Sequence, residues 1–446
     1  MSSPVYTPAP GYRALITLAI PVILANIAVP LLGLVDTAVI GHTGDAAALS
    51  AIALGSLVFS FVYWGFGFLR MGTTGFIARA AGANDQDEVR AALTRALLMG
   101  LGIGLLLVLC QLLISHAALT LLSGSDAAQA MLRDYIHLRI WGAPATLATF
   151  SLLGVMIGLG RTRHLLALQL FLNGLNIALD LLFVIGFGWG VRGVAMGTVI
   201  AEWSALLMGL WLIRPLVWHG PGGVWPWTQV FIASRWRQTL RTNSDIMWRT
   251  LFLLAGFGWF ARQGGELGDT VLAANHILLQ LVSFSAFFLD GYAFVLESQA
   301  GQSLGARNRL HFRTVLLRST QLAVLTAGGL ALAVWLAGHW AVQALTGIPP
   351  VIEAATSVLH WTALYVLLSC AAFQLDGLFI GAGESRPMRD ATLMALVGFI
   401  GLSLWLTPAL GNQGLWLAFT LFVVLRAVML GLYVPGLYRR AFGANA

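Results

Sequence analysis

Four polar residues inside apolar stretches of the chain have the chemistry to bind and release a small cation. Asp36 lies in one such stretch, and a second stretch contains Asn173, Asn176 and Asp180. The spacing i, i+3 and i+7 places the last three on one face of a helix. Two carboxylates that face one cavity repel each other, and burial disfavours their charged forms, so they suit reversible protonation. The alternative for Asp180 is a structural hydrogen bond to a neighbouring helix.

Four further acidic residues lie in or near apolar stretches: Glu202, Asp290, Glu297 and Asp376. Asp290 and Asp376, together with Asn173, are secondary candidates for cation binding. Structural roles are favoured for the four acids, because charges inside a membrane are usually paired and arginines occur at similar depth. These arginines are Arg70, Arg139, Arg249 and Arg426. Glu202 could pair with Arg139 or with another of them.

Apolar helices must position these residues. Of the 446 residues, 58% are hydrophobic and only 10% are charged, whereas a soluble domain has about 25% charged residues. Apolar runs of about 20 residues recur along the chain, and each is long enough to cross a bilayer. The sequence therefore predicts an all-α integral membrane protein in contact with the lipid bilayer. The predicted spans lie near residues 14–40, 48–77, 92–122, 133–159, 164–187, 193–216, 242–263, 270–299, 314–345, 353–382, 390–409 and 413–436.

The two halves of the sequence repeat each other. A shift by half the length of the chain places Gly82-Ala83 on Gly305-Ala306 and Ile157-Gly158 on Ile380-Gly381. Each half then holds six spans, so the halves are parallel repeats related by an axis along the membrane normal. The predicted organisation is an N-terminal six-helix bundle (1–218), a cytoplasmic inter-bundle loop (219–241) and a C-terminal six-helix bundle (242–446). The loop prediction rests on its prolines and glycines.

Arginine placement predicts the orientation in the membrane. Most arginines outside the spans fall on one side, whereas the other side has only Arg133, Arg192 and Arg262. The arginine-rich side is expected to be cytoplasmic, with both termini there. The net charge of +7 is therefore assigned to cytoplasmic loops, and no nucleic-acid partner is expected.

Two prolines, Pro21 and Pro30, interrupt the first predicted span. A proline inside a helix removes one backbone hydrogen bond and favours a kink. Pro21 stands fifteen residues before Asp36, or about four helical turns. Bending at Pro21 could therefore be coupled to protonation of Asp36, and a static kink is the alternative.

The sequence offers no chemical source of energy. It contains no Gly-x-x-x-x-Gly-Lys motif for nucleotide binding. It also shows no cluster of residues that would indicate an enzyme, a cofactor or a resident metal. An ion gradient must supply the energy, unless the protein is passive.

Several motifs resemble those of the multidrug and toxic compound extrusion (MATE) family. They are Asp36-Thr-Ala-Val-Ile-Gly-His, Ala80-Ala-Gly-Ala-Asn, Gly158-Leu-Gly-Arg-Thr-Arg and Asn176-Ile-Ala-Leu-Asp180. The stretches that begin at Tyr63 and at Phe288 resemble the DinF-like branch in particular. The resemblance covers essentially the whole chain.

The resemblance implies a secondary active exporter that antiports organic cations or amphipathic toxic compounds against H+ or Na+. It further implies a monomer in a bacterial inner membrane and a bend near Pro21. The implied coupling network consists of Asp36, Asp180, Asn176, Thr198 and Tyr135, with Na+ possible at Asp36 and Asp180. Relatives with a sodium site in the C-terminal bundle use an acid on the seventh span, and residues 250–260 contain none. H+ is therefore favoured.

A flippase for a lipid-linked or amphipathic lipid is the alternative function. A cavity lined by arginines and open sideways to lipid would favour the flippase. A cavity lined by aromatic and acidic residues would favour the cation exporter.

Overall fold

The computed structural model is almost entirely α-helical. It describes residues 10–41, 45–122, 125–217 and 225–443, apart from the side chains of residues 29–32, 34, 36 and 216. No β-strand occurs within these ranges. The predicted all-α class is confirmed.

Consecutive helices form twelve rods, six in each half of the chain. The first six are α1 (Tyr12–Gly41), α2 with α3 (Ala46–Trp64, Phe68–Gly82), α4 with α5 (Gln86–Leu109, Gln111–Leu121), α6 with α7 (Asp126–Arg139, Ala143–Gly158), α8 (Thr162–Asp180) and α9 (Gly190–Val217). A 3-10 turn (Ile140–Gly142) joins α6 to α7, and a π-helix (Leu181–Gly186) continues α8. The short helix α10 (Trp227–Val230) follows. The last six rods are α11 (Ala233–Glu266), α12 (Asp269–Gly305), α13 (Arg309–Leu345), α14 with α15 (Pro349–Ser357, Leu359–Ala382), α16 (Arg386–Leu410) and α17 with α18 (Asn412–Gly431, Val434–Phe442).

Ten of these rods are long and apolar enough, over their described residues, to cross a membrane. The other two are α1 and α11. The first half of α11 is polar, with Arg235, Arg241 and Asp245. Helix α1 has 30 residues and so extends about 45 Å, and its residues Tyr12–Ala28 form an apolar stretch.

The turns repeat between the two halves at the same offset of half the chain that the sequence shows. Asn84 and Arg307 both adopt positive φ angles, of 56° and 52°, as do Gly160 and Gly383, at 68° and 64°. The residue after each of the first pair caps the next helix. Asp85 accepts a hydrogen bond from the Glu88 amide, and Asn308 accepts one from the His311 amide, both at 3.0 Å. Turns that agree in backbone angle and capping confirm the internal repeat.

Close helix packing repeats at the same offset. In the first half, a Cβ atom on Gly154 or Gly158 of α7 would overlap the carbonyl oxygen of Arg70 or Thr74 on α3. In the second half, Gly377 and Gly381 of α15 stand against the carbonyl oxygens of Ala293 and Glu297 on α12 in the same way. Small residues four apart let two membrane helices approach at backbone distance. The second and fourth rods of each half are therefore held together by equivalent contacts.

The chain divides into two compact units, and α1 contributes to both. One unit contains the residues up to Ile23 and those from Leu240 onward, and the other contains Leu24–Thr239. In the first of these units, Leu15 and Ala19 of α1 pack in a buried cluster with Leu289 and Tyr292 of α12. The change of unit falls two residues after Pro21. The domain boundaries at 218 and 242 stay a prediction.

Replacing Gly377 or Gly154 by valine should lower the thermal stability of the purified protein. The added side chain meets a carbonyl oxygen that cannot move without displacing its helix, and overpacking of this kind costs about 1–3 kcal/mol or more. Gly329→Val is the matched control, because a Cβ on Gly329 of α13 would meet no other atom within 4 Å. Equal melting temperatures for all three variants would contradict the packing described above.

Candidate functional site

The polar face of α8 is buried against α9. Asn176 is completely buried, and its side-chain amide Nδ2 donates to the hydroxyl of Thr198 on α9 at 3.1 Å. The Thr198 hydroxyl in turn donates to the carbonyl of Val194 at 2.9 Å. The structure thus brings together two of the predicted site residues through a direct hydrogen bond.

Asp180 ends α8 and is completely buried. A Cβ atom at residue 197 would stand against its Oδ1 atom, so the glycine at that position leaves room for the carboxylate beside α9. The π-helix begins at the next residue, and π-helical turns are frequent at functional sites. Asp180 therefore faces protein and not lipid.

Asn173 joins this face to α1. Its Nδ2 atom donates to the carbonyl of Ala28 at 3.0 Å. Asp36 lies eight residues after Ala28 on α1, and Asp180 lies seven residues after Asn173 on α8. The side chain of Asp36 is outside the described residues, so its predicted place beside Asp180 stays a prediction.

Tyr135 of α6 is buried against α2. Its ring stands where a Cβ on Gly55 would overlap it, and it meets Phe59 edge to face at a centroid distance of 6.1 Å. The guanidinium of Arg139 lies 6.0 Å from its centroid. Sequence reasoning missed Gly55 and Phe59, whose only sequence signal is their spacing of four residues on α2.

The corresponding face in the second half has no carboxylate or amide. At the offset of half the chain, Asn173, Asn176 and Asp180 correspond to Leu396, Phe399 and Ser403 of α16, which are also buried. Packing at this position therefore does not require two amides and a carboxylate. The polar residues of α8 are specific to the first half, as expected of a functional site.

One acceptor in this face is open. Among the residues that the structure describes, no donor reaches the buried Oδ1 atom of Asn176. A buried carbonyl without a donor costs free energy. A protonated carboxyl group or a small cation would each satisfy this oxygen.

The acids of the second half have other surroundings. Asp376 of α15 is buried and forms ion pairs with Arg249 and with Arg426, the latter at 3.1 Å. Two guanidinium groups already neutralise this carboxylate, which disfavours its secondary role in cation binding. Asp290 is half-buried on α12, and Glu297 is buried on the same helix.

The expected pairing with acids is confirmed for three of the four membrane arginines. Arg249 and Arg426 bind Asp376, and Arg139 lies 3.3 Å from Glu202 in the first half. Pro21 is buried within the continuous helix α1, and its predicted role as a hinge stays a prediction.

Comparison with known proteins agrees with the fold. A family model described as MatE matches residues 21–182 and 263–407. The chain is 37% identical over 429 residues to DNA damage-inducible protein F of Escherichia coli K12, covering 96% of this chain and 92% of that protein. It is 26% identical over 421 residues to the probable multidrug resistance protein NorM of Acinetobacter baylyi, covering 89% and 90% of the two chains.

A crystal structure of MATE in the bent conformation superposes with a TM-score of 0.86, at 19% identity and with 96% of each chain covered. The fold is thus that of two-lobed, twelve-helix membrane transporters. The chain belongs to the MATE family and is DinF-like within it. It is a membrane transporter and not an enzyme.

Asp376→Ala should strongly destabilise the folded protein. It would leave two buried arginines without their counter-ion, and removing one partner of a buried pair costs about 3–5 kcal/mol. The control is Glu384→Ala, since Glu384 pairs with the exposed Arg440 and such surface pairs contribute about 1 kcal/mol or less. Thermal unfolding in detergent measures both. Wild-type stability of Asp376→Ala combined with lost transport would instead indicate a cation-binding role.

Proposed function

We propose that the protein exports organic cations or amphipathic toxic compounds in exchange for H+, and that the polar face of α8 binds the coupling ion. One observation carries the proposal. Asn176, Thr198 and Asp180 are buried between α8 and α9, and no donor among the described residues reaches the Oδ1 atom of Asn176. The NorM relative is called a probable multidrug resistance protein, which agrees with export of toxic compounds. The expected location is a bacterial inner membrane, with both termini in the cytoplasm.

The register of two helices supports a role for Asp36. The first and fifth rods run in the same direction, because four crossings separate them. From the contact between Asn173 and Ala28, Asp36 lies about 12 Å further along α1 and Asp180 about 10.5 Å further along α8. In parallel helices with this register, the backbone positions of residues 36 and 180 would lie at about one level of the membrane. A shared proton site for both acids is therefore consistent with the backbone.

The hydrogen bonds favour H+ over Na+ as the coupling ion. Protonation converts a carboxylate from an acceptor into a donor, and the Oδ1 atom of Asn176 offers the acceptor one helical turn before Asp180. Sodium would instead require several oxygen ligands. The hydroxyl oxygen of Thr198 already accepts from Asn176 and donates to Val194, so only its second lone pair is left for a cation. In the second half, Asp376 does not offer a sodium site, because Arg249 and Arg426 already neutralise its carboxylate.

Exchange requires that the proton and the substrate favour different states of the transporter. Loss of charge at Asp36 and Asp180 would weaken the binding of a cationic substrate. The new hydrogen bonds would draw α1 toward α8, and the helix would bend at Pro21, where one backbone hydrogen bond is missing. Ile23 of α1 belongs to one compact unit and Leu24 to the other. This boundary, two residues after Pro21, supports a bend at that position.

Asp36→Asn and Asp180→Asn should each abolish proton-driven efflux while the protein remains folded in the membrane. The amide keeps the shape of the side chain but cannot release a proton at ordinary pH. Efflux of a cationic dye from proteoliposomes with an imposed pH gradient is the measurement. The control is Asp134→Asn, because Asp134 is an exposed residue paired with Arg192.

Substrate binding, measured at about pH 6 and about pH 8, should also lose its pH dependence in both variants, because the amide cannot take up or release the coupling proton. Full transport by Asp36→Asn would remove the central claim. A sodium gradient that drives efflux where a proton gradient does not would change the coupling ion. Movement of labelled lipid between leaflets, without dye efflux, would favour the flippase.

Pro21→Ala should reduce the rate of efflux several-fold while changing substrate affinity little. Alanine restores the missing backbone donor and stiffens α1, but it leaves both carboxylates in place. Pro408→Ala is the matched control, because Pro408 also lies inside a membrane helix, α16. An equal effect of the two substitutions would show that Pro21 is not a hinge.

A further inference from the structure

A second carboxylate lies on the same face of α9 as the candidate site. Glu202 follows Thr198 by four residues, or one helical turn, and is 6% exposed. The proposed coupling reaction does not use it. A buried ionisable group inside a membrane-spanning helix is expensive and calls for a function or a partner.

The partner of Glu202 is held loosely. The Nη2 atom of Arg139 lies 3.3 Å from Oε1 of Glu202, whereas a strong charge-assisted hydrogen bond measures about 2.7–2.9 Å. The same guanidinium lies 4.8 Å from the ring centroid of Phe59 and 6.0 Å from that of Tyr135. Arg139 therefore has two partners of different chemistry, a carboxylate and a pair of aromatic faces.

The other carboxylate oxygen is enclosed by protein. Oε2 of Glu202 is buried and stands where a Cβ on Gly142 would overlap it. The hydroxyl group of Thr146 on α7 adjoins the carboxylate, and Tyr63 on α2 adjoins Thr146. The Thr146 hydroxyl can donate to the ionised form or accept from the protonated form. The pocket around Glu202 thus accommodates both forms.

We propose that Glu202 is a second proton-binding group, separate from Asp36 and Asp180. When the carboxylate is ionised, Arg139 pairs with it. When Glu202 takes up a proton, Arg139 moves onto the faces of Phe59 and Tyr135, so the buried guanidinium keeps a partner in both states. Through Tyr135, this movement reaches a residue of the predicted coupling network.

The charged and titratable groups around Glu202 come from two neighbouring helices. They are Arg139 and Tyr135 on α6 and Tyr63 on α2. Asp180 on α8 stands farther along α9, against Gly197. Helix α7 contributes the neutral hydroxyl of Thr146. Arg139 is the cation of this set, so removing it must favour the protonated form of Glu202.

Infrared difference spectra of the protein in lipid, recorded as the pH is changed, test this proposal. The C=O stretch of a protonated carboxyl group should include one component that Glu202→Gln removes. Asp36→Asn and Asp180→Asn should leave that component in place. Glu353→Gln, which removes an exposed carboxylate of α14, is the control and should also leave it.

Arg139→Gln provides a second test that keeps Glu202. The component assigned to Glu202 should persist to a pH higher by about one unit or more than in the wild type, and Arg139→Lys should stay close to the wild type. If Glu202→Gln does not fold, the component is identified as the one that shifts in Arg139→Gln and stays in place in Arg139→Lys. Spectra of Glu202→Gln that match the wild type, or an Arg139→Gln variant without a shift, would overturn the proposal.

These spectra need neither substrate nor an ion gradient. The Glu202 component can therefore be found even if Asp36→Asn transports normally and proton coupling through Asp36 fails. Conversely, lost efflux in Asp36→Asn without a Glu202 component would support the proposed function and reject this inference.

Discussion

The inability of hydrocarbon to solvate polar groups is the constraint on which this structure depends. It requires each spanning segment to form its backbone hydrogen bonds internally, which makes every rod a helix. It also requires each buried charge or amide to find a partner on another helix. Asp376 meets two arginines, Glu202 meets one, and Asn176 meets Thr198. The polar contacts between helices follow from this requirement.

The two halves share their packing but not their electrostatics. The glycine contacts of α7 with α3 recur between α15 and α12. The turns that follow α3 and α7 have nearly the same φ angles as those that follow α12 and α15. Yet the polar face of α8 corresponds to buried Leu396 and Phe399 in α16. Backbone-level contacts tolerate only small residues, whereas a face that packs against side chains can be polar or apolar. The repeat thus keeps the scaffold while leaving one half free to carry ionisable groups.

Helix α1 has a distinct position in this scheme. Its first part is built into the core formed with α12 and α13, through Leu15 and Ala19. Its second part belongs with the helices of the first half, where Ala28 accepts a hydrogen bond from Asn173. A continuous helix bends most easily where its own hydrogen bonding is weakest. Pro21 provides such a position, since the chain changes unit two residues later.

The sequence by itself determined that this is an all-α membrane protein and that its two halves repeat. It also determined which polar residues are candidates for a cation-binding site. Long apolar runs predict spans because the thickness of the bilayer fixes their length, and the repeat at half the chain length predicts two halves with equivalent spans. The spacing of Asn173, Asn176 and Asp180 predicted one helical face, because the period of the helix is a local property. In the same way, Asp36 and Glu202 were identified as intramembrane acids from their surroundings in the chain alone.

Only the tertiary structure decided which groups meet. Thr198, the partner of Asn176, lies 22 residues away, and Arg249 lies 127 residues from Asp376. No local pattern encodes such distances, because they depend on how helices pack around glycines such as Gly142 and Gly197. The sequence offered Asp376 and Glu202 as acids with several possible partners. Packing assigned two arginines to Asp376, and it left Glu202 with one loosely held arginine that also contacts aromatic rings.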